Sequence, residues 1–134
     1  MVHLAEAQRI IEAAVGKAEE IGQPMCIAVA DFGGNTIAFV RMDKAWIGSI
    51  EIAHDKAWTA RAFDISTKEL AENSQSGGQF FGIQVSNNGR VMTFAGGIPL
   101  KRDGEVVGAV GVSGGTGDQD HLVAEAGVAA VESA

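Results

Sequence analysis

The sequence predicts an α+β fold, a single antiparallel sheet flanked by helices, on three observations. Periodicities run in the order helix, two strands, helix, three strands, helix. Successive strands are joined by tight turns, a connection that demands antiparallel pairing. Hydrophobic residues make up 46% of 134 positions, enough for one core without disulfides or a structural metal, so residues 1–134 are read as one domain.

The elements follow in chain order. Leu4, Ala7, Ile11, Ala14, Val15, Ala18 and Ile21 recur at spacings of three and four, which places them on one face of a helix ending near Gly22. Glu6, Arg9, Glu12 and Glu20 occupy the opposite face. Pro24 interrupts that pattern, and residues 25–30 form an apolar run of strand length. Asp31-Phe32-Gly33-Gly34-Asn35 is a strong turn signal, because its glycines tolerate positive φ and its Asp and Asn bond the local backbone. Residues 36–42 return as a second strand and complete a hairpin.

Over residues 45–63, Trp46, Ile50, Ala53, Ala57 and Ala60 follow the helical period. Most of that stripe is alanine, so the helix can approach its neighbour closely. Residues 67–71 add a further turn or two, and residues 73–78 read as a polar, glycine-containing loop. Beyond Ile83 the helical period disappears, and three strands are expected: residues 84–86 with 90–95, residues 98–100, and residues 105–113. Gly114-Gly115-Thr116-Gly117 ends the last of them. A final helix over residues 118–132 is capped by Thr116 or Asp118, with Leu122, Val123, Ala126, Ala129 and Ala130 on its buried side.

Charge narrows the function classes. Ten basic residues stand against 17 acidic ones, for a net charge of −7, and the basic residues are scattered and interrupted by acids. Neutralising phosphates takes a clustered patch, so no nucleic-acid partner is expected. No apolar run approaches the roughly 20 residues that span a bilayer, and the first twelve lack the apolar core of a signal peptide. The expectation is a cytoplasmic protein without a membrane partner. Cys26, the one cysteine, lies in an apolar run and reads as a small buried hydrophobe.

Three segments carry a family resemblance that extends from the first helix to Ala130: Lys56-Ala57-Trp58-Thr59-Ala60, Gly96-Gly97-Ile98-Pro99-Leu100, and Val107-Gly108-Ala109-Val110-Gly111-Val112-Ser113-Gly114 followed by Gln119-Asp120-His121. Together, in this order, they resemble the GlcG/HbpS family, also described as a haem-binding or haem-degrading domain of the DUF336 type. The resemblance implies a profilin-like fold, with a five-stranded antiparallel sheet flanked by helices, assembled into homo-oligomers. It further implies a place in pathways for small organic acids and diols, haem binding in some members, and fusion to a corrinoid adenosyltransferase in one branch.

His54 lies on the stripe Ile47, Ile50, His54, Trp58, Arg61, where an imidazole can ligate haem iron or move a proton near neutral pH; the plainer reading is a partly exposed helix histidine. Lys56, on a different side of that helix, can pair with a ligand carboxylate or, when desolvated, act as a nucleophilic amine. An ion pair with Asp31, Asp43 or Glu51 explains it equally well. Gly96 and Gly97 would let backbone amides approach a ligand, and Gly114 to Gly117 could form an anion nest, although turn chemistry accounts for both.

Asp118, Asp120 and His121 open the last helix, but adjacent helical residues point about 100° apart, so capping is expected there and no metal site. Trp46, Trp58, Phe80, Phe81 and Phe94 either line an apolar pocket for a flat ligand or pack in the core or at a subunit boundary. The reading preferred on these grounds is a small-ligand-binding protein for haem or another planar organic acid, using His54, Lys56, Gly96, Gly97 and His121. Two rivals stand beside it. One is an enzyme acting on a small carboxylic acid, with Lys56 holding the carboxylate and His54 or Asp31 moving a proton; the other is a structural accessory subunit.

Overall fold

The computed structural model describes residues 1–132; the last two positions of the expected domain lie outside the described residues. Helix α1 spans Leu4–Ile21 and ends at Gly22, whose left-handed φ of 73° closes a hydrogen-bonded cap. Strands β1 (Cys26–Ala30) and β2 (Thr36–Arg41) form the expected hairpin. At its turn, Asp31 Oδ1 accepts from the backbone N–H groups of Gly33 and Asn35, each at 2.9 Å. Helices α2 (Gly48–Phe63) and α3 (Thr67–Ser74) follow, then β3 (Gly97–Arg102), β4 (Glu105–Ser113) and α4 (Gly117–Glu132).

The four strands are ordered β2-β1-β4-β3, and every neighbouring pair is antiparallel. Strand alternation divides the interior into two layers. Ile27, Val29, Val110 and Val112 face α1 and α4, meeting Ile10, Ala14, Ala18, Val123 and Ala124. Cys26, Ala28, Ala30 and Ala109 face the other way, against Ala53, Ala57 and Ala60 of α2. The second layer is built almost entirely of small side chains. A Cβ at Gly111 would fall 2.1 Å from the Ala53 carbonyl oxygen, and one at Gly97 would fall 2.4 Å from that of Lys56. Helix α2 therefore rests directly on the backbone of β4 and β3.

The structure corrects the sequence reading at several places. The expected strand over residues 84–86 and 90–95 does not form, and the sheet has four strands instead of five. Asn87, Asn88 and Gly89 are left-handed in succession, with φ of 52°, 57° and 74°, which curls the chain into short 3-10 turns. Past them, the Met92 N–H donates to Thr59 Oγ1 instead of a sheet ladder. Helix α2 begins at Gly48, so Trp46 precedes it and is 64% exposed.

Leu4 is exposed, and Ile10 fills the core beside the expected stripe. In α4 the buried positions are Asp120, Val123, Ala124, Gly127 and Val128, while Leu122 and Ala129 face outward. Among the described residues, no helix is long and apolar enough to cross a membrane.

Candidate functional site

Lys56 stands at the centre of the molecule. Its positions relative to Ala53, Ala57 and Ala60 place it on the sheet-facing stripe of α2, where its side chain is 0% exposed. An unpaired ammonium buried there would be prohibitive. Nζ donates to Asp120 Oδ2 at 2.8 Å and to the Val112 carbonyl at 2.9 Å, and the ring of Phe94 lies 4.1 Å away on a further side. Asp120 is 1% exposed, and its Oδ1 accepts the Gly115 N–H at 2.8 Å.

The pair thus ties α2 to the end of β4 and the start of α4. Burial pulls the Lys56 ammonium below the usual lysine range, opposed by the charge of Asp120. It likewise pushes the Asp120 carboxyl up, opposed by Lys56 and by the Gly115 amide.

Gly96 presses against this pair, and Gly97 against the backbone of Lys56. Gly96 has φ of 135°, and a Cβ there would fall 2.4 Å from the Val112 carbonyl oxygen, 2.7 Å from Lys56 Nζ and 3.0 Å from Asp120 Cβ. The Gly97 N–H donates to Thr67 Oγ1 at 2.9 Å. Both glycines are buried, so the neighbours their bare backbone admits are Lys56, Asp120 and Thr67.

Lys56, Gly96 and Gly97 thus come together, whereas His54, His121 and Asp31 stand apart from them. His54 is half-buried on the flank of α2, stacked on Phe39 of β2 with ring centroids 4.5 Å apart. Its Nδ1 lies 2.8 Å from the Ile50 carbonyl, which can only accept, so Nδ1 is the protonated nitrogen and in the neutral imidazole Nε2 carries the lone pair. That is the tautomer a metal-ligating imidazole uses, with its ring fixed by a backbone carbonyl. His54 therefore fits an axial haem ligand in chemistry.

His121 Nε2 lies 3.7 Å from Glu125, while its Nδ1 is enclosed without a hydrogen-bond partner. With Ile98 and Val128 it lines a cleft of about 290 Å³. Asp31 spends Oδ1 on its turn and borders a cleft of about 560 Å³ with Met1, Phe32, Glu105 and Val107. Another, of about 570 Å³, lies between α1, the β3–β4 hairpin and α4, around Ile10, Leu100, Lys101 and Val131. Neither of these larger clefts is lined by His54, Lys56, Gly96, Gly97 or His121.

The partner of Lys56 is Asp120, not Asp31, Asp43 or Glu51. Sequence reasoning had placed Asp120 in the capping group, yet the cap of α4 is Thr116, whose Oγ1 accepts the Gln119 N–H while Gln119 Oε1 accepts the Thr116 N–H. A signal for the pair was present. Asp120 precedes Val123, Ala124 and Gly127 at the same spacing by which Ala53 precedes Lys56, Ala57 and Ala60, so both charges fall on buried stripes.

The aromatic residues do not share one pocket. Trp58 lies between Gly34 and the Arg90 guanidinium, and Phe94 covers Lys56. Trp46, Phe80 and Phe81 are exposed. Cys26 is buried, and burial pushes its thiol up, away from reactive thiolate chemistry.

Fold and site define a class: a three-layer α+β protein whose antiparallel sheet lies between helices, with a buried Lys–Asp pair where α2 meets α4. The chain belongs to the HbpS-like family, described as haem degrading protein HbpS-like, whose family model matches residues 2–129. It is 43% identical over 124 residues to an uncharacterized 15.0 kDa protein in the dhaT-dhaS intergenic region of Citrobacter freundii, covering 92% of this chain and 87% of that one. The crystal structure of Klebsiella pneumoniae protein ORFY matches it with a TM-score of 0.96 at 38% identity, over 99% of this chain and 92% of that one. The crystal structure of a PduOC–haem complex matches with a TM-score of 0.93 at 35% identity, over 97% and 94%.

Proposed function

We propose that this chain is a small-ligand-binding protein that takes haem or another planar organic acid, and that residues 1–134 act as one cytoplasmic domain working as a homo-oligomer. The observation that carries the reading is the likeness, along nearly the whole chain, to PduOC, whose structure is a complex with haem. The His54 tautomer supports it from this chain's own residues. In this reading His54 Nε2 is the iron ligand and His121 the second imidazole candidate, while Lys56, Gly96 and Gly97 act as positioning residues that seat α2. The rival enzyme reading has less support, because in this closed arrangement Lys56 has no exposed surface and two of its three donors are engaged by Val112 and Asp120, so it does not hold a substrate carboxylate as it stands.

Haemin added to the untagged protein is expected to give a sharpened Soret band, and His54→Ala to abolish the ligand-specific part while leaving the circular dichroism unchanged. Iron–imidazole ligation is a directional bond, whereas adsorption through apolar contact survives the substitution. His121→Ala is the control. If neither substitution changes the spectrum, histidine ligation at these positions is wrong. Mass spectrometry of small molecules retained through purification then separates the readings, since a retained organic acid without haem favours the enzyme.

The assembly is tested separately. Trp46, Ile47, Phe81 and Val85 are all more than 60% exposed and supply apolar surface that a second copy could cover. Light scattering is expected to return a multiple of the chain mass that persists on dilution. A monomer mass at both low and high concentration would remove the homo-oligomer from the account.

A further inference from the structure

The Lys56–Asp120 pair is covered in part by a ring that itself reaches the surface. Val112 and Asp120 hold Nζ by hydrogen bonds, Gly96 presents only backbone beside it, and the ring of Phe94 lies over it at 4.1 Å. That ring is itself 42% exposed, in the stretch between Arg90 and Gly96 that forms neither helix nor strand. A wholly buried amine–carboxylate pair thus lies beneath a side chain that reaches solvent. Rotation of Phe94 would open a ring-sized space bounded on one side by the Gly96 backbone, with Nζ and Oδ2 2.8 Å apart beside it.

We propose that Lys56 is a latent amine for small aldehydes or ketones, with Asp120 as its acid–base partner and Phe94 as the lid. This goes beyond haem binding and does not depend on it. When the shared proton resides on Asp120, Nζ is a free-base amine beside a carboxylic acid, the two groups that imine formation requires. Burial favours that arrangement, since it lowers the affinity of Lys56 for the proton and raises that of Asp120.

The step balances without an outside reagent. Nζ attacks the carbonyl carbon while Asp120 gives its proton to the carbonyl oxygen, forming the carbinolamine. The C–O bond then breaks, and water leaves carrying that proton and one from nitrogen. A protonated imine on Lys56 remains, paired with the Asp120 carboxylate. The size of the ring beside the Gly96 backbone limits the space to short-chain carbonyl compounds.

The test is reductive trapping of the intact protein with propionaldehyde and cyanoborohydride, followed by peptide mapping of every amine. Lys17, Lys44, Lys68, Lys101 and the Met1 amino group serve as internal comparison. In the wild-type protein, labelling of Lys56 is expected to persist as pH falls from 8 to 6, where labelling of the other lysines fades. Phe94→Ala, which removes the ring lying over Nζ, should raise labelling of Lys56 by about tenfold, because reactivity scales with the fraction of molecules in the open state. Phe94→Leu, which keeps an apolar cover, should raise it far less.

The proposal is overturned if Lys56 stays unlabelled in both the wild type and Phe94→Ala while the other amines react. It also fails if Lys56 follows the same pH profile as they do, since that is the behaviour of a structural lysine exposed by global unfolding.

Discussion

Asp120→Asn is expected to lower folding stability at pH 7 by about 3–5 kcal/mol, the range for leaving one partner of a buried ion pair uncompensated. The amide keeps the shape of the carboxylate and can still accept from Gly115, so the loss isolates the charge on Lys56. Its pH dependence identifies the cause. Burial lowers the Lys56 pKa and Asp120 raises it, so the variant keeps only the lowering influence. A lysine whose folded pKa is depressed contributes stability that is present above the unfolded value of 10.5 and lost as pH falls through the folded value. The variant loses more of it than the wild type because its depression is larger. Urea denaturation should therefore show the gap between the two narrowing as pH rises from 7 toward 10. A gap that is constant with pH would assign the loss to packing instead of charge.

Gly96→Ala is expected to be of similar severity, about 3 kcal/mol or more, and to lower the melting temperature by roughly 10 °C. Two effects add. The φ of 135° is strained for any residue with a Cβ, and that Cβ would meet the Val112 carbonyl oxygen, Lys56 Nζ and Asp120 Cβ together. Relief by backbone movement is blocked, because the Gly96 carbonyl accepts the Val112 N–H at 2.9 Å and so anchors the start of β3 to β4. Calorimetry against Gly16→Ala provides the contrast. Gly16 lies in the exposed part of α1 with nothing within 4 Å of the added methyl, so that change should be neutral or slightly stabilising. Equal melting temperatures for the two variants would show that Gly96 is not the close-packing point described.

Local chemistry was legible in the sequence where it acts over a few residues. The Asp31–Asn35 turn, the glycine stop of α1 and the alanine stripe of α2 follow from backbone freedom and from period, and all three are present. The fifth strand was not decidable in that way. Val91, Met92, Phe94 and Ala95 form an apolar run that reads as strand, but Val91 and Ala95 are buried within a segment that is neither helix nor strand, and two left-handed asparagines upstream turn the chain away from the sheet. The last helix was placed correctly and rotated incorrectly, because a helix rich in alanine gives several stripes nearly equal weight.

The candidate site divides along the same line. Lys56 was singled out from the sequence, whereas Asp120, 64 positions away, was assigned to capping because nothing local connects them. A charge on an otherwise apolar stripe demands a buried counter-charge, and applying that requirement to both helices would have matched the two residues. His54 was recognised as an unusual imidazole, but its tautomer depends on the Ile50 carbonyl and its support on Phe39, both set by tertiary placement.

The central claim, that this chain binds haem or a closely similar planar acid, is tested most directly by titrating the untagged wild-type protein with haemin and following the Soret band. A sharpened, shifted band that saturates at a fixed ratio of haem to chain and stays with the protein through gel filtration is expected. A band that grows linearly without saturation, keeps the shape of free haemin and separates on the column would contradict it.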